Sequence, residues 1–207
     1  MRKLTCDSLP HLVDCLIREL RIKRDSGLMQ LTAQWWGVTL GDQCWFNGRT
    51  YFHRHPESRI VIGDGCGFNS SANSNLIGVN HSCILSTLGQ GAEINIGHGC
   101  GFSGTVIGCA VKVVLGDNVR CGANTLITDT DWHNDDSRIQ PAAPVFIEKN
   151  VWLGVNVTVL KGVTIGENTM VGAGSLVTKD LPANVIAGGV PAKIIRRIIE
   201  KEMEDQE

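Results

Sequence analysis

The sequence predicts an all-β solenoid, a parallel β-helix, on three observations. From residue 147 onward an aliphatic side chain returns every sixth position: Ile147, Leu153, Val159, Ile165, Val171 and Val177. Three residues after each stands Asn150, Asn156, Gly162, Asn168, Gly174 or Asp180. The same register recurs upstream at Ile62-Gly63-Asp64-Gly65, Ile96-Gly97-His98-Gly99, Leu115-Gly116-Asp117-Asn118 and Cys121-Gly122-Ala123-Asn124. A period of six is neither the 3.6 of a helix nor the 2 of a simple strand. Gly, Asn and Asp tolerate positive φ, so each unit ends in a corner at the same place. One strand and one corner cannot bury their aliphatic side alone, so the units must stack.

Composition narrows the class. The chain has 207 residues, room for one domain and a small appendage, and its 24 glycines suit a turn-dense fold. A net charge of −2 gives no reason to expect nucleic acid or an anionic membrane as partner. No apolar run is long enough for a transmembrane helix, and Met1 to Cys6 has no apolar core for a signal peptide, so the expected location is the cytoplasm. Eight cysteines stand at 6, 15, 44, 66, 83, 100, 109 and 121, with no Cys-x-x-Cys pair. No zinc site is expected from them, and buried reduced thiols fit better than disulfides. Cys66, Cys83 and Cys100 are spaced 17 apart, close to one three-unit coil, and are expected to stack as small core residues.

Three parts follow in order: 1–59, a helix and aromatic cap; 60–190, the repeat, with an inserted loop at about 131–144; and 191–207, a C-terminal helix and tail. Residues 8–24 read as a helix capped by Ser8, with Leu12, Cys15, Leu16 and Leu20 as an apolar stripe. Arg18, Arg21, Lys23 and Arg24 make its end basic, which suits a solvated helix end and allows a weak membrane-surface contact. Residues 28–59 hold Trp35, Trp36, Trp45, Phe46, Tyr51 and Phe52, bulky groups suited to closing a solenoid end or stacking on a sugar. Gly99-x-Gly101-x-x-Gly104 matches a dinucleotide fingerprint formally, but no helical pattern follows it.

The rhythm breaks at 129–145. Counting from Ile127, the next rung falls on His133, and Asn134-Asp135-Asp136-Ser137-Arg138 with Pro141 reads as a polar excursion. A rigid scaffold that extrudes one polar loop marks a candidate site. From Pro191, the spacing of Ile194, Ile195, Ile198 and Ile199 predicts a closing helix.

The unit [aliphatic]-Gly-x-Asn-x-x resembles the hexapeptide repeat of left-handed β-helix acyltransferases, over about 60–205. Residues 129–195 resemble the sugar O-acetyltransferase branch, which includes galactoside, maltose and polysaccharide acetyltransferases. The left hand is implied by the resemblance alone, because general crossover rules favour the right. The resemblance implies an acetyl-CoA-dependent O-acetyltransferase acting on a sugar or surface-glycan precursor, built as a homotrimer with active sites between subunits. Asp129-Thr130-Asp131-Trp132-His133-Asn134 is similar to the family's Asp-Thr-Asp-Phe-His signature, which makes His133 the general base. An alcohol needs such a base, and histidine titrates near neutrality. Asp131, Asp129 or a backbone carbonyl could orient its ring, and the residues alone do not choose. Val151-Trp152-Leu153-Gly154 is similar to the family's [aliphatic]-Trp-[aliphatic]-Gly segment. Val155 follows where the family often has serine, which leaves a backbone N–H for the oxyanion. Trp152, Gly154, Val155, Ala173, Thr178, Lys179 and Arg196 occupy positions resembling coenzyme A contacts, with Lys179 and Arg196 suited to its phosphates. An acceptor that is an amino sugar or antibiotic, and a non-catalytic binding solenoid, are the alternatives. His81, His98 and His133 lack the spacing of a three-histidine metal site, so no metal is expected.

Overall fold

The structure, a computed structural model, describes residues 8–133 and 136–199. Asn134 and Asp135 of the polar excursion, Cys6 with the rest of 1–7, and the tail 200–207 lie outside the described residues.

Three sheets, parallel except for the last strand of the second, form the faces of a prism, of six, eight and six strands. Face A stacks Thr39–Leu40, Arg59–Ile62, Glu93–Ile96, Lys112–Leu115, Val145–Ile147 and Thr164–Ile165. Face B stacks Trp45–Asn47, Gly67–Asn69, Gly101–Ser103, Arg120–Cys121, Trp152–Leu153, Met170–Val171 and Val185–Gly189, and ends on Ala192–Arg197. Face C stacks Tyr51–His53, Ile84–Thr87, Val106–Cys109, Leu126–Thr128, Thr158–Val159 and Leu176–Val177. The chain runs A to B to C in each coil. The predicted rungs Ile147, Leu153, Val159, Ile165, Val171 and Val177 are all buried. Their corners at Asn150, Asn156, Gly162, Asn168 and Gly174 have φ of 57°, 56°, 73°, 57° and 68°. Asp180 departs from this pattern: its carboxylate instead accepts the Thr164 N–H at 2.7 Å.

Like residues stack inside at the strand spacing. Phe46, Phe68 and Phe102 lie ring on ring at 4.7 and 4.9 Å, the distance between neighbouring strands. Cysteines do the same at the corner between faces A and B, where Cys44, Cys66 and Cys100 donate to the carbonyls of Gly63, Gly97 and Gly116, each at 3.2 Å. The Cys100 thiol beside it, then burial, push the Cys66 thiol up to about 12, so this thiol stays protonated at neutral pH. Cys83 does not join it as its spacing suggests. It stands just before the face C strand Ile84–Thr87, because an excursion upstream shifts its phase.

Two terminal expectations change. The helix runs from Leu9 to Trp36, well past 24, and stops at Gly37, whose φ of 63° closes the end. The first coil therefore starts at Thr39 rather than near 60. Asp25, Met29 and Ala33 are the buried helix positions. They close the open end of the prism, while Leu12, Leu16 and Leu20 of the predicted stripe are exposed. Asp25 accepts the Gly48 N–H at 2.8 Å and Ser26 the Phe46 N–H at 3.0 Å, which stitches helix to coil. The expected C-terminal helix is instead the strand Ala192–Arg197, antiparallel to Val185–Gly189. The last coil leaves unpaired backbone groups on face B, and β-branched isoleucines suit a strand that pairs with them. No helix among the described residues is long and apolar enough to cross a membrane.

Candidate active site

Two excursions leave the prism at different edges. Residues 129–144 leave the edge between faces C and A, and residues 70–83 leave the edge between B and C. The second was not read from the sequence. Its signal was there, in the polar run Asn69-Ser70-Ser71 and Asn73-Ser74-Asn75 where a rung should fall.

The base of the His133 loop is anchored from both sides. Asp129 is fully buried, and its carboxylate accepts the N–H groups of Ala110, Val111 and Lys112 at 2.6, 2.7 and 2.7 Å. Its carbonyl accepts the Ala143 N–H at 2.9 Å, which joins the two ends of the loop. Lys161, one coil further on, donates to the Asp131 carboxylate and to the Gln140 carbonyl, both at 2.6 Å. Both aspartates expected near the His133 ring are thus engaged elsewhere. Asp129 caps a turn of the preceding coil, and Asp131 pairs with a lysine that sequence reasoning did not single out. A buried carboxylate takes the donors nearest to it, and three backbone amides are stronger claimants than a mobile ring.

Trp132 carries the strain of the site. Its φ is 71°, a left-handed conformation rare for an aromatic residue. Its ring lies on Gly108 of face C, where any Cβ would come within 2.3 Å of the indole. Gly108 therefore lets Trp132 fold flat, and that sets the exit of His133, which is exposed. Arg138 beside Asp136 holds that carboxyl below its ordinary value, and their two-pronged contact stiffens the far side of the loop.

The second feature is a groove of about 400 Å³ along the B–C edge. Trp152, Gly154, Val155 and Ala173, four of the expected coenzyme contacts, line it together. Gly122 and Gly172 extend the floor, and Asn75 and Ile77 of the excursion at 70–83 form a wall. A Cβ on Gly122 would lie 2.6 Å from the Gly154 backbone, and one on Gly154 2.7 Å from that of Ala173. The turns stack too closely for side chains, so the floor is backbone. Asn124 fastens the wall: it accepts the Asn80 N–H at 3.0 Å and donates to the Gly78 carbonyl at 2.8 Å. Thr178 and Lys179 do not join the groove. They follow face C, on the edge that carries His133. Arg196 lies on the last strand of face B, in register with Ile186.

This is a β-helix with a histidine loop on one edge and a backbone-floored groove on the next. Residues 144–179 match the family model described as bacterial transferase hexapeptide (six repeats), so the chain carries the repeat of that transferase family. It is similar to the galactoside O-acetyltransferase of Escherichia coli, 38% identical over 119 residues, covering 54% of this chain and 58% of that one. The galactoside O-acetyltransferase of Lactococcus lactis is 46% identical over 95 residues, 44% of this chain and 45% of the other. The chain thus matches about half the length of these curated relatives. Among solved structures, the N-acyltransferase AntD of Bacillus cereus superposes with a TM-score of 0.61 at 19% identity, covering 86% of this chain and 92% of that one. A hexapeptide-repeat acetyltransferase of Vibrio cholerae gives 0.53 at 22%, covering 85% and 82%. These likenesses show the fold, the left-handed parallel β-helix of such enzymes.

Proposed function

We propose that the protein is an acetyl-CoA-dependent O-acetyltransferase acting on a hydroxyl of a sugar, within a surface glycan or its precursor. The observation that carries this reading is the pairing of an anchored, strained histidine loop with an apolar, backbone-floored groove. The groove suits the thin pantetheine arm of coenzyme A, which needs backbone partners and little width. The names of the Escherichia coli and Lactococcus lactis relatives support the same chemistry. His133 takes the proton of the acceptor hydroxyl as its oxygen attacks the thioester carbonyl. A backbone N–H on the groove floor stabilises the oxyanion, and the thiolate leaves and takes up a proton as free coenzyme A. Lys179 and Arg196 are proposed to face its phosphates. The polar excursion offers hydroxyl partners and one aromatic face, Trp132. Acetyl-CoA as donor places the reaction in the cytoplasm.

A thiol-release assay over neutral sugars, acidic sugars, amino sugars and chloramphenicol-type drugs tests this. Turnover is expected on sugar hydroxyls. Efficient turnover confined to an amine or a drug overturns the acceptor, and no turnover on any of them overturns the enzyme reading.

His133 and the groove lie on different edges, separated by the width of face C. A second copy that sets its groove against this histidine edge completes the site, and three copies close the ring. The chain is therefore expected to scatter light as a trimer. Co-assembled His133→Ala and Gly154→Val chains are expected to regain part of the activity that each lacks alone. A monomer at micromolar concentration, or no recovery, defeats this arrangement.

A further inference from the structure

The outward side chains of face B form one row in register: Trp45, Gly67, Gly101, Arg120, Trp152, Met170 and Ile186. Two glycines break it. The Trp45 indole has folded over Gly67, where a Cβ would come within 2.3 Å of it. Nothing among the described residues lies within 4 Å of the corresponding point on Gly101. The result is a recess over Gly101 with a cavity of about 240 Å³, bounded by Trp45 on one side and Arg120 and Trp152 on the other. Trp45 and Arg120 stand three strand spacings apart, about 14 Å, and the folded indole takes the first of these. What remains suits one pyranose ring with its hydroxyls.

The polar lining is unfinished. Asn69 and Asn75 both donate to the Ser103 hydroxyl, at 3.3 and 3.2 Å. The Asn69 amide oxygen is buried beside the recess and has no hydrogen-bond partner among the described residues. A buried acceptor of this kind calls for a donor, and a sugar hydroxyl is one. Arg120 is exposed and forms no ion pair among the described residues. Its guanidinium at the rim presents a fork that matches a carboxylate or phosphate. Aromatic faces, an orphan amide oxygen and an arginine together are the lining expected for a charged sugar. The recess shares Asn75, Gly122 and Trp152 with the groove, so a ring held here lies next to the thioester arm.

We propose that this recess is the acceptor subsite and that it binds one ring of an anionic saccharide, with Arg120 on the acid group and Asn69 accepting from a hydroxyl. The inference rests on the O-acetyltransferase reading for its role, but the binding can be measured without it. Saturation-transfer NMR on the full chain, with no acetyl-CoA present, is carried out with galacturonic acid, glucose 1-phosphate and galactose. Both acidic probes or one of them binds, which tells carboxylate from phosphate, and galactose binds more weakly. Gly101→Leu puts a side chain into the recess from a Cβ position that has open space around it, and Arg120→Gln removes the charge. Each is expected to weaken the acidic probe about tenfold or more and to leave acetyl-CoA binding unchanged. Equal binding by wild type and Gly101→Leu, equal binding of galactose, or no binding of either acid overturns the proposal. Loss of all thiol release with acidic-probe binding intact would instead overturn the transferase reading and leave the subsite standing.

Discussion

His133→Ala is expected to lower acetyl transfer by about 10²–10⁴, the usual worth of a general base. Acetyl-CoA affinity and the circular dichroism spectrum are expected to stay at wild-type values. The side chain is exposed on a loop whose anchors are other residues, Asp129, Asp131 and Lys161. Its removal therefore opens no cavity and leaves no buried group unpaired. The measurement is single-turnover transfer beside equilibrium binding. Near wild-type turnover would move the base elsewhere and leave His133 as an ordinary loop residue.

The second large effect concerns stability. Asp129→Asn keeps the shape of the side chain but turns an NH₂ towards at least one of the three backbone N–H groups that the carboxylate accepts. A charge-assisted bond is lost and a donor faces a donor in a site with no solvent access. The expected cost is about 3 kcal/mol, or a melting temperature lower by roughly 6–12 °C for a chain of this size. Thermal unfolding followed by circular dichroism checks it. Were Asp129 the residue that orients the His133 ring, the variant would melt like wild type and lose only turnover. The two outcomes separate a structural cap from a catalytic partner.

Much of the fold was legible because the hexapeptide period is a local property. Ile147 to Val177 each repeat the same strand and corner, and Asn150, Asn156 and Asn168 carry the positive φ that their type allows. The break at His133 was legible for the same reason, since a missing rung shows against a regular background. The C-terminal strand was not. Ile194, Ile195, Ile198 and Ile199 fit a helical stripe, and only the open edge of face B, which needs backbone partners, makes Ala192–Arg197 a strand.

The candidate site divides along the same line. Sequence by itself determined the solenoid, its core rungs, the loop that bears His133 and the Trp152-Leu153-Gly154 segment, because each is set by residues within a few positions of one another. Tertiary structure alone decided the rest: that Asp129 serves the turn at 110–112, that Lys161 holds Asp131, that Gly108 seats Trp132, and that Gly101 opens a recess between Trp45 and Arg120. It also placed His133 and the groove on different edges. Which edge a turn occupies depends on every insertion before it, and which residues meet across coils depends on stacking between positions some 20 to 30 residues apart. No local spacing carries that information.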